Sequence, residues 1–254
     1  MSDEEIPEAW ESYPAFVDDK PAMFFLNMGL VQAAPIAAAP FLYLVKVQMK
    51  DPGPEGVGSP DESSSFMPIE DALCKAAQGA GLHFAGRVRS GGHWELGFYG
   101  PEGVEISDVL DSVGATIAGL EIMVGGGEDA EWGFLLDYLA PDRERWQWIM
   151  DHRVVRNLTE AGDDPAKPRV VDHALHFPTE AALDGFVEAL KEDGFVESQR
   201  HEDKDNGESL PWMLELQRED EVTVDAIHDV VMGLVELAET HKGEYDGWGC
   251  PVTQ

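Results

Sequence analysis

Near its C terminus the chain reads Glu244-Tyr245-Asp246-Gly247-Trp248-Gly249-Cys250-Pro251. Gly247 and Gly249 flank Trp248, and glycine permits a close backbone approach, so the segment can turn sharply and set the indole against a sheet. Tyr245 and Trp248 each combine a large apolar surface with one polar group. Two interpretations follow. The segment is a structural clasp, since buried aromatic side chains usually belong to a core, or it contributes Tyr245, Asp246 and Trp248 to a partner-binding face.

The residues before this segment alternate between strand and helix patterns. A strand is predicted over 169–177, because Val171, His173, Leu175 and Phe177 fall on one face at a spacing of two residues. Thr179 is the expected N-cap of a helix whose apolar residues recur at helical spacing. A hairpin within 195–217, a helix over 223–240 and the closing segment complete the order strand, helix, strand, strand, helix, strand.

The same order is predicted once before, over residues 41–124. Its elements are a strand over 41–47, a helix over 67–80, a hairpin that turns at Gly91-Gly92, a helix over 103–117 and a strand over 120–124 that ends at Gly125-Gly126-Gly127. Outside this repeat the sequence predicts a hairpin over 10–30, a loop over 51–65 and an edge strand over 132–139. The split βαβ pattern is the ferredoxin-like arrangement, in which two helices cover one face of an antiparallel sheet. The predicted fold class is therefore α+β, with two ferredoxin-like domains.

The length and the local charge suggest where these domains meet. A chain of 254 residues is near the size at which hydrophobic cores divide, so two domains are expected, 1–140 and 169–254. The net charges are −17 for 1–140 (6 bases, 23 acids), −1 for 141–168 (5 bases, 6 acids) and −15 for 169–254 (6 bases, 21 acids). Residues 141–168 are predicted to form a linker helix and a linker. Its arginines are interpreted as lying near the carboxylates of both domains, and a basic RNA-contacting face is the alternative.

The charge of the whole chain bounds its partners. Fifty acidic residues against 17 basic ones give a net charge of −33. Such a chain repels nucleic-acid phosphates and anionic membranes, so we expect neither as a direct partner. A protein partner with a basic segment is favoured, because complementary fields speed encounter. The alternative interpretation of the charge is solubility alone.

A row of acidic residues is the candidate docking surface. Glu180, Asp184, Glu188 and Glu192 recur at steps of four, which places them on one outer face of the predicted helix. Like charges at this spacing repel mildly, so helix propensity does not explain them. We interpret this acidic ridge as a docking surface for a basic segment, and the alternative is a solvated helix face.

No reactive centre can be assembled from the sequence. His173 and His176 are three residues apart on a strand and point to opposite faces, and the acidic segment 201–208 fits a hairpin loop better than a calcium loop. We therefore expect no catalytic residues, no metal and no cofactor, and the alternative is a metal-dependent hydrolase. Residues 1–5 lack a basic region and 33–47 are interrupted by prolines, so a cytoplasmic protein is expected.

The closing motif carries a family resemblance. Glu244 to Gly249 at the end of a helix–strand unit resembles the C-terminal signature of the regulator of ribonuclease E activity B family, also called ribonuclease E inhibitors, and the similarity covers residues 169–252. It implies a ferredoxin-like fold and an acidic protein that binds the ribonuclease and inhibits its action on RNA. Residues 1–140 resemble a bacterial family of domains of unknown function, through Trp10, the step 19–22 and the hairpin 86–99. A further alternative is that the second domain only mediates homodimerisation.

Overall fold

The computed structural model of the protein describes residues 6–202 and 209–253. Its chain divides into two compact units, Met1–Asp142 and Arg143–Gln254. Each unit contains helices and one antiparallel sheet, which confirms the predicted α+β class. Residues 1–5, and most of the acidic segment 201–208, lie outside the described residues.

The first unit contains a six-stranded sheet. Its elements are β1 (Trp10–Val17), β2 (Lys20–Asn27), α1 (Met28–Ala33), β3 (Phe41–Gln48), α2 (Pro60–Gly79), β4 (His83–Ser90), β5 (His93–Gly100), α3 (Ile106–Ser112) and β6 (Ile122–Glu128), followed by a π-helix over Phe134–Leu139. The strand order is β1-β2-β4-β5-β3-β6. Side chains of α2 and α3, among them Leu73 and Val109, pack with Val45 and Leu96 of the central strands. One core of this unit therefore lies between the sheet and these two helices.

The second unit contains a four-stranded sheet. Its elements are α4 (Arg143–Glu160), β7 (Arg169–Phe177), α5 (Glu180–Ala189), β8 (Val196–Glu202), β9 (Trp212–Asp220), α6 (Val224–Thr240) and β10 (Glu244–Gly249). The strand order β10-β7-β9-β8 matches the order β6-β3-β5-β4 within the first unit. In both, the first strand of the repeat is central and the last strand pairs at its side. The predicted pair of ferredoxin-like sheets is confirmed.

Helix α2 begins seven residues earlier than the apolar pattern indicated. The Ser59 side chain accepts a hydrogen bond from the Glu62 N–H at 3.1 Å, and Pro60 occupies the first helical position. Both features are typical helix starts. The predicted loop over 51–65 is correspondingly shorter, because polar capping residues and not the first apolar residue fix where the helix begins.

The predicted edge strand over 132–139 is wrong, since the π-helix occupies this position. The Asp129 carboxylate accepts hydrogen bonds from the Gly133 and Phe134 N–H groups at 2.9 and 3.1 Å, which starts the turn. Tyr99 donates its hydroxyl to the same carboxylate at 2.5 Å, and its ring stacks on Trp132 with 4.0 Å between the ring centroids. A short apolar run does not by itself distinguish a helix from a strand.

Helix α4 belongs to the second unit and does not serve as a linker alone. Val155 and Leu158 are buried with Val231 and Val235 of α6 and with Val171 of β7. The prediction of a linker helix is therefore corrected, because the apolar face of α4 forms part of a core.

Two of the arginines on α4 also find their partners within the second unit. Arg143 pairs with Glu239, and Arg156 lies 3.9 Å from Glu160. No helix among residues 6–202 and 209–253 is long and apolar enough to cross a bilayer.

Candidate functional site

The closing strand is anchored on a buried carboxylate of α4. Asp151 has no exposed surface. Its Oδ1 accepts hydrogen bonds from the Trp248 indole N–H at 3.0 Å and from the Gln147 side-chain amide at 2.9 Å. Its Oδ2 lies 2.8 Å from Nδ1 of His228 on α6. These four residues, here called the Asp151 cluster, join α4, α6 and β10.

The Asp151 cluster is the structural reason for the tryptophan in the closing motif. A buried carboxylate is stable only when its lone pairs are satisfied. Here a helix side chain, a histidine and an indole supply the hydrogen bonds. Sequence reasoning did not identify Asp151 as a buried residue. The available signal was its spacing, because Asp151 lies four residues from Gln147 and from Val155 and so shares a helix face with both.

Tyr245 and His173 form a second buried contact beneath β10. The Tyr245 hydroxyl lies 2.8 Å from Nδ1 of His173, whose side chain is completely buried on β7. Burial lowers the pKa of His173 to about 4 and raises the pKa of Tyr245. Both groups are therefore neutral near pH 7. Among the described residues, the buried Nε2 of His173 has no hydrogen-bond partner.

This buried histidine makes stability depend on pH. The unfolded chain binds a proton at His173 near its ordinary pKa of about 6.5, whereas the folded chain resists protonation until about pH 4. Stability is therefore expected to decline as the pH falls between these values, by about 3 kcal/mol in total. Urea unfolding across this range should show a steeper decline for the wild type than for His173→Gln. His176→Gln serves as the control, and equal declines for wild type and His173→Gln would contradict this role for burial.

A buried ion pair fixes the start of β7. The Arg169 guanidinium donates to both oxygens of Asp163 at 2.6 and 2.5 Å and to the Asp164 carbonyl at 2.5 Å. The Thr253 N–H donates to Asp163 at 2.6 Å. The hydrogen bond from Arg169 lowers the pKa of Asp163. Within residues 163–168, predicted to be a linker from their composition, Asp163 is buried and connects Thr253 to Arg169 at the start of β7.

The four acids of the ridge are all exposed, but they do not share one helix. Helix α5 ends at Ala189, so Glu192 lies in the turn that follows it. The Arg200 guanidinium donates to Asp184 at 2.6 Å, and Lys191 contacts Glu188. Glu180 and Glu192 make no ion pair with the described residues. The ridge is thus a mixed surface with two partly neutralised carboxylates.

The residues of the closing motif divide between the interior and the surface. Tyr245 and Trp248 direct their polar groups to His173 and Asp151, as described above, whereas Asp246 is exposed. A β-bulge lies between Tyr245 and Gly247, and Gly247 has a φ angle of 156°. This conformation favours glycine. A Cβ added at Gly249 would meet nothing within 4 Å, so packing does not require glycine there.

Metal-binding clusters and reactive thiols are two common kinds of reactive site. Residues 6–202 and 209–253 contain no group of three His, Cys, Asp or Glu side chains that could hold a metal ion. Burial is the main cause of the raised pKa values of Cys74 and Cys250, which lowers their thiolate fraction.

Comparisons with known proteins divide the chain at nearly the same place as the structure does. The family described as "Regulator of ribonuclease activity B" matches residues 148–250, and the "Family of unknown function (DUF695)" matches residues 8–140. The first match begins inside α4 and so includes the Asp151 cluster apart from Gln147.

Individual proteins also match the chain, among them one curated relative and one solved structure. A protein named "Regulator of ribonuclease activity B" from Actinobacillus succinogenes is 29% identical over 97 residues, which cover 38% of this chain and 68% of that protein. The match to a crystal structure of an unknown protein from Galdieria sulphuraria covers 82% of this chain and 96% of that chain, with 9% identity and a TM-score of only 0.21. The chain therefore belongs to the DUF695 family through residues 8–140, and its residues 148–250 match the regulator of ribonuclease activity B family.

Proposed function

We propose that the second unit binds a ribonuclease through a basic segment of that enzyme and lowers its activity on RNA. The observation that carries this proposal is the match of residues 148–250 to the regulator of ribonuclease activity B family. The relative from Actinobacillus succinogenes bears the same name. In this role the second unit binds the ribonuclease and does not itself cleave RNA.

The charge of the protein supports a basic partner segment. A net charge of −33 disfavours direct contact with RNA, because the phosphate backbone carries the same sign. A basic segment of a ribonuclease attracts RNA phosphates and would attract this surface for the same reason. In this proposal the protein and the RNA compete for one segment of the enzyme, so inhibition weakens when RNA or salt is raised.

The acidic ridge is the proposed first point of contact. Glu180 and Glu192 are exposed without an ion-pair partner in the described part of the chain, and Asp184 and Glu188 have partners that a basic segment can replace. Asp246 adds an exposed carboxylate on β10. Tyr245 and Trp248 contribute indirectly, by holding β10 in place. Their polar groups form hydrogen bonds with His173 and Asp151 inside the unit.

Neutralising the ridge is expected to slow association with the ribonuclease. The variant Glu180→Gln, Asp184→Asn, Glu188→Gln and Glu192→Gln removes four charges without shortening a side chain. Its association rate with ribonuclease E should fall about tenfold at low salt, and the salt dependence of that rate should flatten. Surface plasmon resonance over a salt series measures both quantities.

A variant with the same net charge supplies the control. Glu102, Glu105, Asp108 and Asp111 are exposed acids of the first unit. Changing these four to their amides should leave the association rate within about twofold of the wild type, because steering depends on charges near the contact. Equal slowing by both variants would mean that only the total charge matters and would remove the ridge from the proposal.

A further inference from the structure

Strand β6 forms an open edge of the sheet in the first unit. It pairs with β3 in continuous register from Ile122 to Glu128, without a bulge. In the described part of the chain no strand pairs with its other side. The side chains of Met123 and Val124 are each 54% exposed, although large apolar side chains are usually buried. An edge of this kind presents a row of unpaired backbone groups to the surroundings.

The other three sheet edges each carry a feature that hinders the addition of a strand. Strand β1 contains Pro14, which has no N–H to donate. Bulges interrupt β8 between Glu197 and Gln199 and β10 between Tyr245 and Gly247. Between Ile122 and Gly127, β6 contains no proline, no charged residue and no bulge. Proteins usually protect exposed edges with prolines, charges or bulges. Strand β6 lacks these features over this range, unlike the other three edge strands.

The register fixes which backbone groups of β6 face outward. The Gln48 N–H donates to the Glu121 carbonyl at 3.0 Å, and the Asp129 N–H donates to the Pro40 carbonyl at 2.8 Å. Residues of an antiparallel strand alternate in the side to which their backbone groups point. Odd-numbered residues from 121 to 129 therefore bond to β3. Even-numbered residues from 122 to 128 direct their N–H and C=O groups to the open edge.

Two of the three glycines of β6 are not required by packing within the chain. A Cβ added at Gly125 or Gly127 would meet nothing within 4 Å, so packing within the chain does not require glycine at either position. Gly126 differs, because its φ angle is 118° and a Cβ there would lie 2.0 Å from the Leu42 carbonyl oxygen. Glycine in a strand often marks a place where another backbone approaches closely. The approach of another backbone would account for glycine at Gly125 and Gly127.

The charges around β6 indicate which kind of segment could pair with its open edge. Glu121, Glu128 and Glu131 are exposed along and beside the strand. The nearest base on the neighbouring strand, Lys46, is paired with Glu95 at 3.3 Å. A second copy of this chain would bring another net charge of −33 to the same edge, which disfavours self-pairing.

We propose that β6 accepts an extended, basic segment of a protein partner as an additional strand of the sheet. Backbone hydrogen bonds to the even-numbered residues would supply the affinity, and the flanking glutamates would favour lysine and arginine in the added segment. This site lies in the first unit and does not depend on the proposed function of the second.

Amide hydrogen exchange of the full chain tests the proposal at single residues. The probe is a synthetic peptide of about eight residues that alternates lysine or arginine with valine or threonine, a length typical of a strand. At saturating peptide, exchange at Ile122, Val124 and Gly126 should slow about tenfold or more, because these N–H groups gain acceptors. Exchange at Met123 and Gly125 should not change, since these groups already bond to β3.

Two controls separate strand addition from charge attraction alone. The same peptide N-methylated at alternate residues keeps its charge but loses its backbone donors, so it should give no alternating protection. Val124→Pro removes one outward N–H at an edge position and should weaken binding of the unmodified peptide at least about tenfold. Equal effects of the two peptides, or uniform protection along β6, would overturn the proposal. Protection that increases with protein concentration in the absence of peptide would identify a second copy as the occupant and would also overturn it.

Discussion

Replacing Asp151 with alanine is expected to destabilise the second unit by about 3 to 5 kcal/mol, since each buried donor left unpaired costs about 1 to 3 kcal/mol and the lost side-chain volume adds to this. The change leaves the Trp248 indole N–H and the Gln147 amide without their acceptor, and it removes the partner of His228. It also leaves a cavity at a position without exposed surface. Asp151→Asn keeps the shape and one acceptor, so a loss of about 1 to 2 kcal/mol is expected.

The measurement must follow the second unit by itself, because a chain with two compact units need not unfold in one step. Urea unfolding followed by the NMR signals of β7 and β9 meets this requirement. Asp229→Ala is the matched control, since Asp229 is an exposed aspartate on α6. It should change the stability by no more than about 0.5 kcal/mol. A similarly small effect of Asp151→Ala would contradict the role of the Asp151 cluster as the anchor of β10.

Replacing Arg169 with methionine is the second change for which we expect a large effect, again about 3 to 5 kcal/mol. The Asp163 carboxylate would then stay buried, with the Thr253 N–H as its one remaining hydrogen-bond donor among the described residues. The double variant Asp163→Leu, Arg169→Met should be more stable than Arg169→Met alone, because it leaves no unpaired buried charge. A double-mutant cycle measured by the same NMR-detected unfolding gives the coupling between the two residues.

The ion pair also predicts behaviour in acid. The pKa of Asp163 is lower in the folded chain than its unfolded value of about 3.9. The stability that this difference supplies is present above about pH 4 and is lost as the pH falls through the lower folded value. The effect of Arg169→Met should therefore be constant from about pH 5 to pH 8 and diminish only in stronger acid. A loss that disappears already near neutral pH would contradict the assignment to Asp163.

The order of elements could be predicted because the repeats have clear periodicity. In β7 the side chains of Val171, His173, Leu175 and Phe177 are buried on one face as predicted. The Thr179 side chain caps α5 as expected, accepting from the Ala182 N–H at 3.2 Å. The turn at Gly91 and Gly92 also joins β4 to β5 as predicted. In each case neighbouring residues determine the structure, so the sequence contains the necessary information locally.

Features that depend on contacts between distant residues could not be predicted in this way. Asp151 and Trp248 are 97 residues apart, and no local pattern links them. The segment 163–168 has the composition of a linker, yet Asp163 is buried because Arg169 and Thr253 surround it. The π-helix forms where Asp129 captures two backbone N–H groups, an event that an apolar pattern does not encode.

The structure also changes how the closing motif is understood. The sequence left open whether Trp248 belongs to a clasp or to a binding face. Its indole N–H donates to Asp151 and the Tyr245 hydroxyl meets His173, so both polar groups act inside the unit. Asp246 alone of these three residues is exposed. A direct contact between this motif and a partner stays a prediction. Asp246 would make that contact, together with the surface of β10 that Tyr245 and Trp248 hold in place.

The rate of RNA cleavage by purified full-length ribonuclease E, measured while the full chain is titrated in, tests most directly whether this protein acts as a ribonuclease regulator. We predict a saturable decrease in the cleavage rate that is relieved by more RNA substrate or by higher salt. The variant that lacks the four ridge charges should need a higher concentration for the same decrease. A cleavage rate that stays unchanged at a large excess of the protein over the enzyme, at low salt, would contradict the account.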